Sequence, residues 1–459
     1  MAFAADPALG APQSPSPGTA ALPQAADKQL VRMLASVDAR RIEASVRKLV
    51  SFGTRHTLSS QSDERRGIGA ATRWVRAEFE RHAARSSGRM RVSVQSFEQP
   101  AGPRVPSPVT LNNVVATLRG TSAPERVYVV SAHLDTRASD VMDPEIVQPG
   151  ANDDASGVAV VLEAARVLAE QAPEATIVFS IVPGEEQGLL GSARLAADFK
   201  AAGTDIQGMF SNDIVGSSTA DDGSREPHTL RLFSEGVPTA ETAAQAALRR
   251  AVGGESDGPS RQLARFVKSV ADNPQTDMRV WLIFRRDRYQ RGSDHISFLE
   301  QGYAAARFSE PHENYAHQHQ NVRVENGVQL GDLPEFVDFD YVARVTRVNI
   351  ATLWSLAVGP AAPRRPRLLT QALTNQTDLV WERGSESDLA GYEVVWRDTT
   401  EPDWAHVIAV GKVTSASLPN APKDNYFFGV RALDTSGHRS PVAFPEPDRG
   451  AEPPPGAKR

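Results

Sequence analysis

Five short stretches of this 459-residue chain carry side chains that could hold a metal ion or move a proton. They are SAHLDT, with His133 and Asp135; PGANDDASG, with Asp153 and Asp154; PGEEQGLLGS, with Glu185 and Glu186; SND, ending in Asp213; and YAHQHQN, with His317 and His319. The metal-capable groups in them are all imidazoles or carboxylates. The chain has no cysteine, which excludes a thiol nucleophile, a disulfide framework and any thiolate-held zinc or iron–sulfur centre. A metal site must therefore be built from His, Asp and Glu. Such donors suit a pair of zinc ions, each needing about three protein ligands, with one carboxylate often shared. Ligand carboxylates and a hydroxide offset the charge of two dications, and neutral imidazoles complete the shells. A further carboxylate clear of the metal can accept a proton from the activated water. Adjacent glutamates suit that division, because successive residues of an extended segment point to opposite sides. One of Glu185 and Glu186 can ligate while the other faces substrate. Asp135, two residues beyond His133, lies on its side and can accept the second imidazole N–H.

Taken singly, these stretches have plainer explanations. A lone His-x-Asp is usually structural, a Glu-Glu pair usually sits in solvent, and Asp-Asp before a helix caps it and complements its dipole. The joint order is what points to chemistry. An apolar strand leads into His133, a diaspartate into a helix, a second apolar strand into the glutamates, a third into Asp213, and histidines follow. Neither capping nor surface exposure requires all five together.

Periodicity supplies the elements that must position these residues. Leu30, Val31, Leu34 and Val37, then Ile42, Val46 and Leu49, recur at helical steps from residue 27. Helices are also predicted over 67–82, 157–169, 189–200, 260–270, 295–301 and 339–356. Strands are predicted over 92–97, 111–118, 126–132, 175–182, 208–214, 280–284 and 304–308. The run at 126–132 is nearly all apolar and reads as central. Strands alternating with helices imply an α/β sheet covered on both faces, with ligands beyond the strands' carboxyl ends. Residues 217–260 read as less regular.

On the motifs SAHLDT, PGANDDASG, PGEEQGLLGS, SNDIVG, RGSDHISF and FSEPHENYAHQHQN, residues 28–358 resemble the M28 zinc peptidases, di-zinc aminopeptidases and their relatives. The resemblance implies the zinc-exopeptidase, phosphorylase/hydrolase-like fold, a mixed, mostly parallel sheet flanked by helices. It implies that His133 and Asp213 ligate one zinc, that Asp153 bridges both, and that Glu186 ligates the second. Glu185 becomes the general base. The Asp153–Asp154 peptide is expected to be cis. His317 is expected as the last ligand, with Asn321 in the position of the family's Asp; His319 is the alternative. Asp294, in the SDH element, is expected to shape the site wall, and Tyr289 to hydrogen-bond the tetrahedral oxyanion. The cofactors implied are two Zn²⁺, although Co²⁺ or Mn²⁺ can take the same ligands. The activity implied is hydrolysis of N-terminal peptide bonds in peptide or amino-acyl substrates. A carboxypeptidase or other amide hydrolase, a glutaminyl cyclase-like acyl transfer, and a non-catalytic binding protein on the same scaffold are the alternatives.

Beyond residue 358 the composition changes. Residues 359–366 read as a Pro/Arg-rich linker, and short strand-like runs recur over 367–444. That pattern resembles a fibronectin type III-like β-sandwich, with Tyr426 placed for a tyrosine corner. Contact with a surface or carbohydrate is its expected sharper role. Residues 445–459 read as a flexible tail. Residues 1–27 read as a disordered leader, and AFAADP within it resembles the end of an export signal, so a secreted or periplasmic location is expected. A net charge of -6 gives no support for a nucleic-acid partner, and no stretch is long and apolar enough for a transmembrane helix.

Overall fold

The computed structural model describes residues 18–450. The chain divides into two compact units, one spanning Pro23–Gly359 and one joining the segment from Pro360 onward to the residues before Pro23. The stretch AFAADP and residues 451–459 lie outside the described residues.

The larger unit is built on one eight-stranded sheet. Its order is Met90–Gln99, Val109–Leu118, Ala175–Val182, Ala123–His133, Asp205–Asn212, Ala305–Ser309, Thr229–Ser234 and Arg279–Ile283. The four central strands, from Ala175–Val182 to Ala305–Ser309, run parallel, and antiparallel pairings flank them on either side. Ala175–Val182 and the run 127–132 are almost wholly apolar because both of their faces are buried. Tyr128, Val130 and Ala132 enter one hydrophobic cluster with Ile177 and Phe179, whereas Val127 and Val129 enter another with Val178. This is the period-two alternation of a strand, with apolar residues in both phases. The first cluster takes in helices Ala39–Val50, Ala155–Leu168 and Phe339–Val358, and the second takes in Leu195 and Phe298 from the opposite face. Each buried Val or Leu of the helix Ala155–Leu168 contributes about 1.5–3 kcal/mol relative to exposure.

Two regions differ from the sequence-based expectation. Residues 217–260 contain a regular strand, Thr229–Ser234, and a capped helix, Ala243–Val252. The helix buries none of its residues, and its apolar positions are mostly alanines rather than large side chains. A two-stranded hairpin, Arg323–Glu325 with Val328–Leu330, follows the last histidines.

The smaller unit consists of two four-stranded sheets. Leu389–Asp398 and His406–Gly411 form the centre of one, and Thr377–Glu382 and Arg364–Leu369 the centre of the other. Trp381, Tyr392, Val394, Trp396, Phe428 and Val430 fill the space between them. Arg364–Leu369 begins inside the stretch read as linker; the register shift between Arg364 and Arg367 accommodates Pro366, which has no N–H to give. Thr19–Ala20, in the stretch read as leader, pairs with His406–Gly411. Glu446–Asp448, in the stretch read as tail, pairs with Arg364–Leu369. Tyr426 packs edge-on against Phe428, and the tyrosine hydroxyl that bonds back to the backbone is that of Tyr392, which accepts from the Gly384 N–H at 2.7 Å. Among the described residues, no helix is long and apolar enough to cross a membrane.

Candidate metal centre

The carboxyl ends of the parallel strands converge on one buried cluster. His133 is the last residue of its strand, Asp213 follows Asp205–Asn212, and the glutamates stand just beyond Ala175–Val182. Asp153 precedes the helix Ala155–Leu168, whose N-cap is Asp154. Two three-residue groups have their ligand atoms within 4.8 Å of one another: His133, Asp153 and Asp213, and Asp153, Glu186 and His319. Asp153 belongs to both. Its Oδ1 lies 3.1 Å from His133 Nε2, and its Oδ2 lies 2.9 Å from His319 Nε2. Glu186 Oε1 is 3.0 Å from the same His319 nitrogen. The Asp153–Asp154 peptide is cis.

Each of these side chains is held by a second residue. The Asp154 carboxylate accepts from the His133 N–H and the Gly157 N–H, both at 3.0 Å, so one side chain ties the strand end to the helix start. A Cβ at position 157 would collide with that carboxylate and with the Asn212 carbonyl. Asp135 accepts from the backbone N–H groups of Glu185 at 3.2 Å and Glu186 at 3.0 Å, and from the Thr57 hydroxyl at 3.0 Å. The His133 Nδ1–H meets the Asp135 carbonyl oxygen at 3.1 Å, with the carboxylate further off at 3.6 Å. The Asp135 backbone carbonyl, rather than its carboxylate, is the nearer partner of the imidazole. The Asp135 side chain sets the glutamate turn instead.

The charges act together. Burial alone would keep His133 neutral, but Asp154 and Asp135 outweigh it and raise its pKa well above the ordinary value. Burial likewise lowers His319, and Glu186 and Asp153 outweigh it and push it up to about 9. Burial works against the Asp213 carboxylate, yet Arg307 and His133 hold it well below the usual range. A field that draws positive charge this strongly onto two imidazoles also favours a cation between them. Glu186 Oε1 is buried and faces only the His319 ring nitrogen. These residues fit a pair of divalent ions sharing Asp153.

Glu185 lies in neither group. Burial raises its carboxyl well above the ordinary value, and Asp213, Glu186 and Asp294 add to the effect. Asp294 is fully buried at the N-terminus of His295–Glu300, pushed up to about 7 by burial, with Asp135 and Asp213 contributing.

Two expected residues are elsewhere. His317 is not in the cluster; its ring stacks on Phe336 with centroids 3.6 Å apart. Its N–H closes a turn onto the Asn314 carbonyl, and the left-handed backbone at His319 (φ 54) then redirects the next imidazole to Asp153. Asn321 accepts from the Ser139 N–H rather than supporting His317. Tyr289 is 78% exposed, and its hydroxyl accepts from Arg285. It touches none of the cluster residues.

Other residues of the site have no place in the sequence motifs. Asp332 accepts from the N–H groups of Asn152 and Asp153, the latter at 2.7 Å, and burial pushes it up to about 7. Arg55 is buried and donates to the carbonyls of Leu134, Pro149 and Gly150, which fixes the loop leading to Asp153. Arg307, completely buried in the strand Ala305–Ser309, binds Asp213 at 3.0 Å and Asp287 at 2.8 Å. A charged residue inside AAARFS is the one available signal, since buried arginine requires a partner. Asp332 and Arg55 leave no such mark.

Comparison with known proteins agrees with this geometry. Residues 113–323 match Peptidase family M28. A protein of Pyrenophora teres f. teres named "Probable zinc metalloprotease" is 50% identical over 432 residues, 94% of this chain and 89% of its own length. One of Leptosphaeria maculans with the same description is 51% identical over 92% of this chain and 98% of its own. Both matches run through the C-terminal unit, given their coverage. Among solved structures, the aminopeptidase LapA of Legionella pneumophila superposes with a TM-score of 0.52 at 17% identity, covering 78% of this chain and 77% of its own, and so shares the fold.

Proposed function

The chain belongs to peptidase family M28, and from that premise we propose that it is a zinc-dependent aminopeptidase working with two zinc ions. The observation that carries this reading is the pair of three-residue groups joined at Asp153, with Glu185 beside them and in neither. His133, Asp153 and Asp213 would hold one ion, and Asp153, Glu186 and His319 the other. Zinc bound there supplies Lewis acidity toward the scissile carbonyl and toward a water molecule. Glu185 takes the proton from the attacking water and returns it to the leaving amine. Asp135 fixes the backbone that carries Glu185 and Glu186. Arg307 keeps Asp213 ionised and in place.

Preference for a free N-terminus is supported by the charge around the site. Carboxyl groups of Asp153, Glu185, Glu186 and Asp213 gather at this one site. An α-ammonium group can pair with carboxylate oxygens there, and an acylated amine cannot. We also infer that the C-terminal sandwich is fibronectin type III-like, on its two-sheet core around Trp381 and Trp396.

The test pairs metal analysis with hydrolysis of free and N-acetylated amino-acyl anilides. Two zinc ions per chain and cleavage of the free-amine substrates alone are expected. Equal cleavage of the blocked ones would refute the aminopeptidase. Glu185→Gln should retain its metal and lose roughly 10²–10⁴-fold in kcat; turnover close to that of the parent would remove Glu185 from the mechanism.

A further inference from the structure

A second concentration of charge lies next to the metal centre. The segment after the strand Arg279–Ile283 reads FRRDRYQRG and encloses a cleft of about 660 Å³. Arg285, Arg286, Arg288 and Arg291 line it, with Tyr289 and Leu189. Two of these cations are already satisfied. Arg288 binds Glu313 at 2.9 Å and Asp287 at 3.2 Å, and Arg291 binds Glu313 at 3.1 Å. The other two are not. Arg285 lies over the Tyr289 ring at 3.9 Å and donates to its hydroxyl at 2.6 Å. Among the described residues, neither Arg285 nor Arg286 has a carboxylate partner. Glu235 is within electrostatic reach of Arg286, but its oxygens are taken by the Thr239 N–H and hydroxyl.

Gathering like charges in a cleft is unfavourable to folding, and it focuses a positive field on whatever enters. The cleft is also tied to the catalytic residues. Leu189 donates its N–H to the Glu185 carbonyl. Asp287, between the arginines, is bound to Arg307, whose other nitrogen holds Asp213. Gly292 and Ile296, also in its lining, flank Asp294, which raises the Glu185 carboxyl.

We propose that this cleft is a carboxylate subsite, in which Arg285 and Arg286 pair with a carboxylate on the residue beside the scissile bond. The enzyme then prefers acidic substrates to isosteric neutral ones. This rests on the peptidase reading above and names its substrate class. A substrate whose amine faces the metal-site carboxylates and whose own carboxylate faces these guanidinium groups is matched at both ends. Arginine suits the task because its planar fork pairs with both carboxylate oxygens. The carboxylate can come from an Asp or Glu side chain or from the C-terminus of a short peptide.

Matched substrates separate these sources. Glu-Ala-Ala-amide against Gln-Ala-Ala-amide reads the side chain, and Gln-Ala with a free or an amidated C-terminus reads the terminal carboxylate. The zinc-loaded full chain should favour the charged member of at least one pair by about tenfold or more in kcat/KM. That ratio should shrink as salt rises. In Arg285→Met/Arg286→Met it should fall toward one, chiefly through KM, with the neutral substrate serving as control for folding. Ratios near one in both pairs, or a ratio that survives the double substitution, would overturn the subsite. N-acetyl-Glu and N-acetyl-Gln anilides keep this separate from the aminopeptidase reading: cleavage of both refutes the free-amine requirement, while their ratio still reports on the arginines. If nothing is hydrolysed, the same tripeptide amides are titrated calorimetrically into the zinc-loaded Glu185→Gln chain. Tighter binding of the Glu peptide, or of free Gln-Ala over its amide titrated alongside, then supports the subsite, and equal affinities within both pairs overturn it.

Discussion

The two halves of the metal centre are made of different material. His133 and Asp213 stand at the ends of central parallel strands, buried and braced by the Asp135 backbone and by Arg307. His319 comes from a loop, and its side chain is 24% exposed. Its place depends on a turn at residues 314–317 and one left-handed residue. The first half is fixed by the sheet, so damage to it spreads into the core. In the second half Glu186 shares that bracing, whereas the turn that carries His319 is a local arrangement whose loss should leave the fold intact. Asp153 joins the two, held from behind by Asp332.

The largest effect should come from the shared residue. Asp153→Ala is expected to lower the content of both metal ions and to reduce kcat/KM by more than about 10³-fold. One ion retained at full occupancy would show that the halves are independent. Next come the unshared ligands, whose contrast is the sharper test. Asp213→Ala and His319→Ala should each lose one ion, but only Asp213→Ala should also destabilise the metal-free protein. It leaves the buried Arg307 with Asp287 but without its second carboxylate, at a cost of about 1.5–3 kcal/mol. His319→Ala should stay within about 1 kcal/mol by denaturant unfolding. Equal destabilisation would erase the distinction.

Acid should reveal the bracing behind the first half. Burial alone would raise Glu313, but Arg288, Arg307, Arg291 and Arg231 outweigh it and hold it below its ordinary 4.5. Asp287 is depressed in the same way, burial being outweighed by Arg307, His295 and Arg288. A carboxylate with a depressed folded pKa contributes stability that is present above its unfolded value and is lost as pH falls through the folded one. The thermal midpoint of chelator-treated protein should therefore drop below about pH 4.5, and more shallowly in Glu313→Gln. A curve unchanged by that substitution would remove Glu313 from the account. The smallest effects belong to the residues outside the cluster. His317→Ala should keep both metal ions and cost about 0.5–1.5 kcal/mol through its lost stacking. Tyr289→Phe should leave kcat on a neutral substrate within about twofold, the small change typical of an exposed side chain; a large loss would return Tyr289 to the oxyanion.

How far the sequence can be read follows the same division. His133, Asp213 and Glu186 are legible because each trails an apolar strand whose both-faces-buried pattern is unmistakable. Helix Ala155–Leu168 announces itself through Asp154 and its run of valines. The choice between His317 and His319 is not legible, since two histidines separated by one residue in a loop have no periodicity to tell them apart. The strand Thr229–Ser234 has Arg231 between its two leucines, which breaks the apolar run, and the helix Ala243–Val252 buries none of its residues.

Composition and period alone establish the donor chemistry, His and carboxylate without thiolate, and the α/β order that delivers those donors to strand ends. Both are local properties, carried by short stretches of chain. Packing settles the rest: that His319 completes the second group, that Asp332 and Arg55 hold the loop around Asp153, and that Arg307 stands behind Asp213. Each of those is a contact between residues far apart in the chain. Such contacts are selected by close fit and by the cost of an unpaired buried charge, which no short stretch of sequence records.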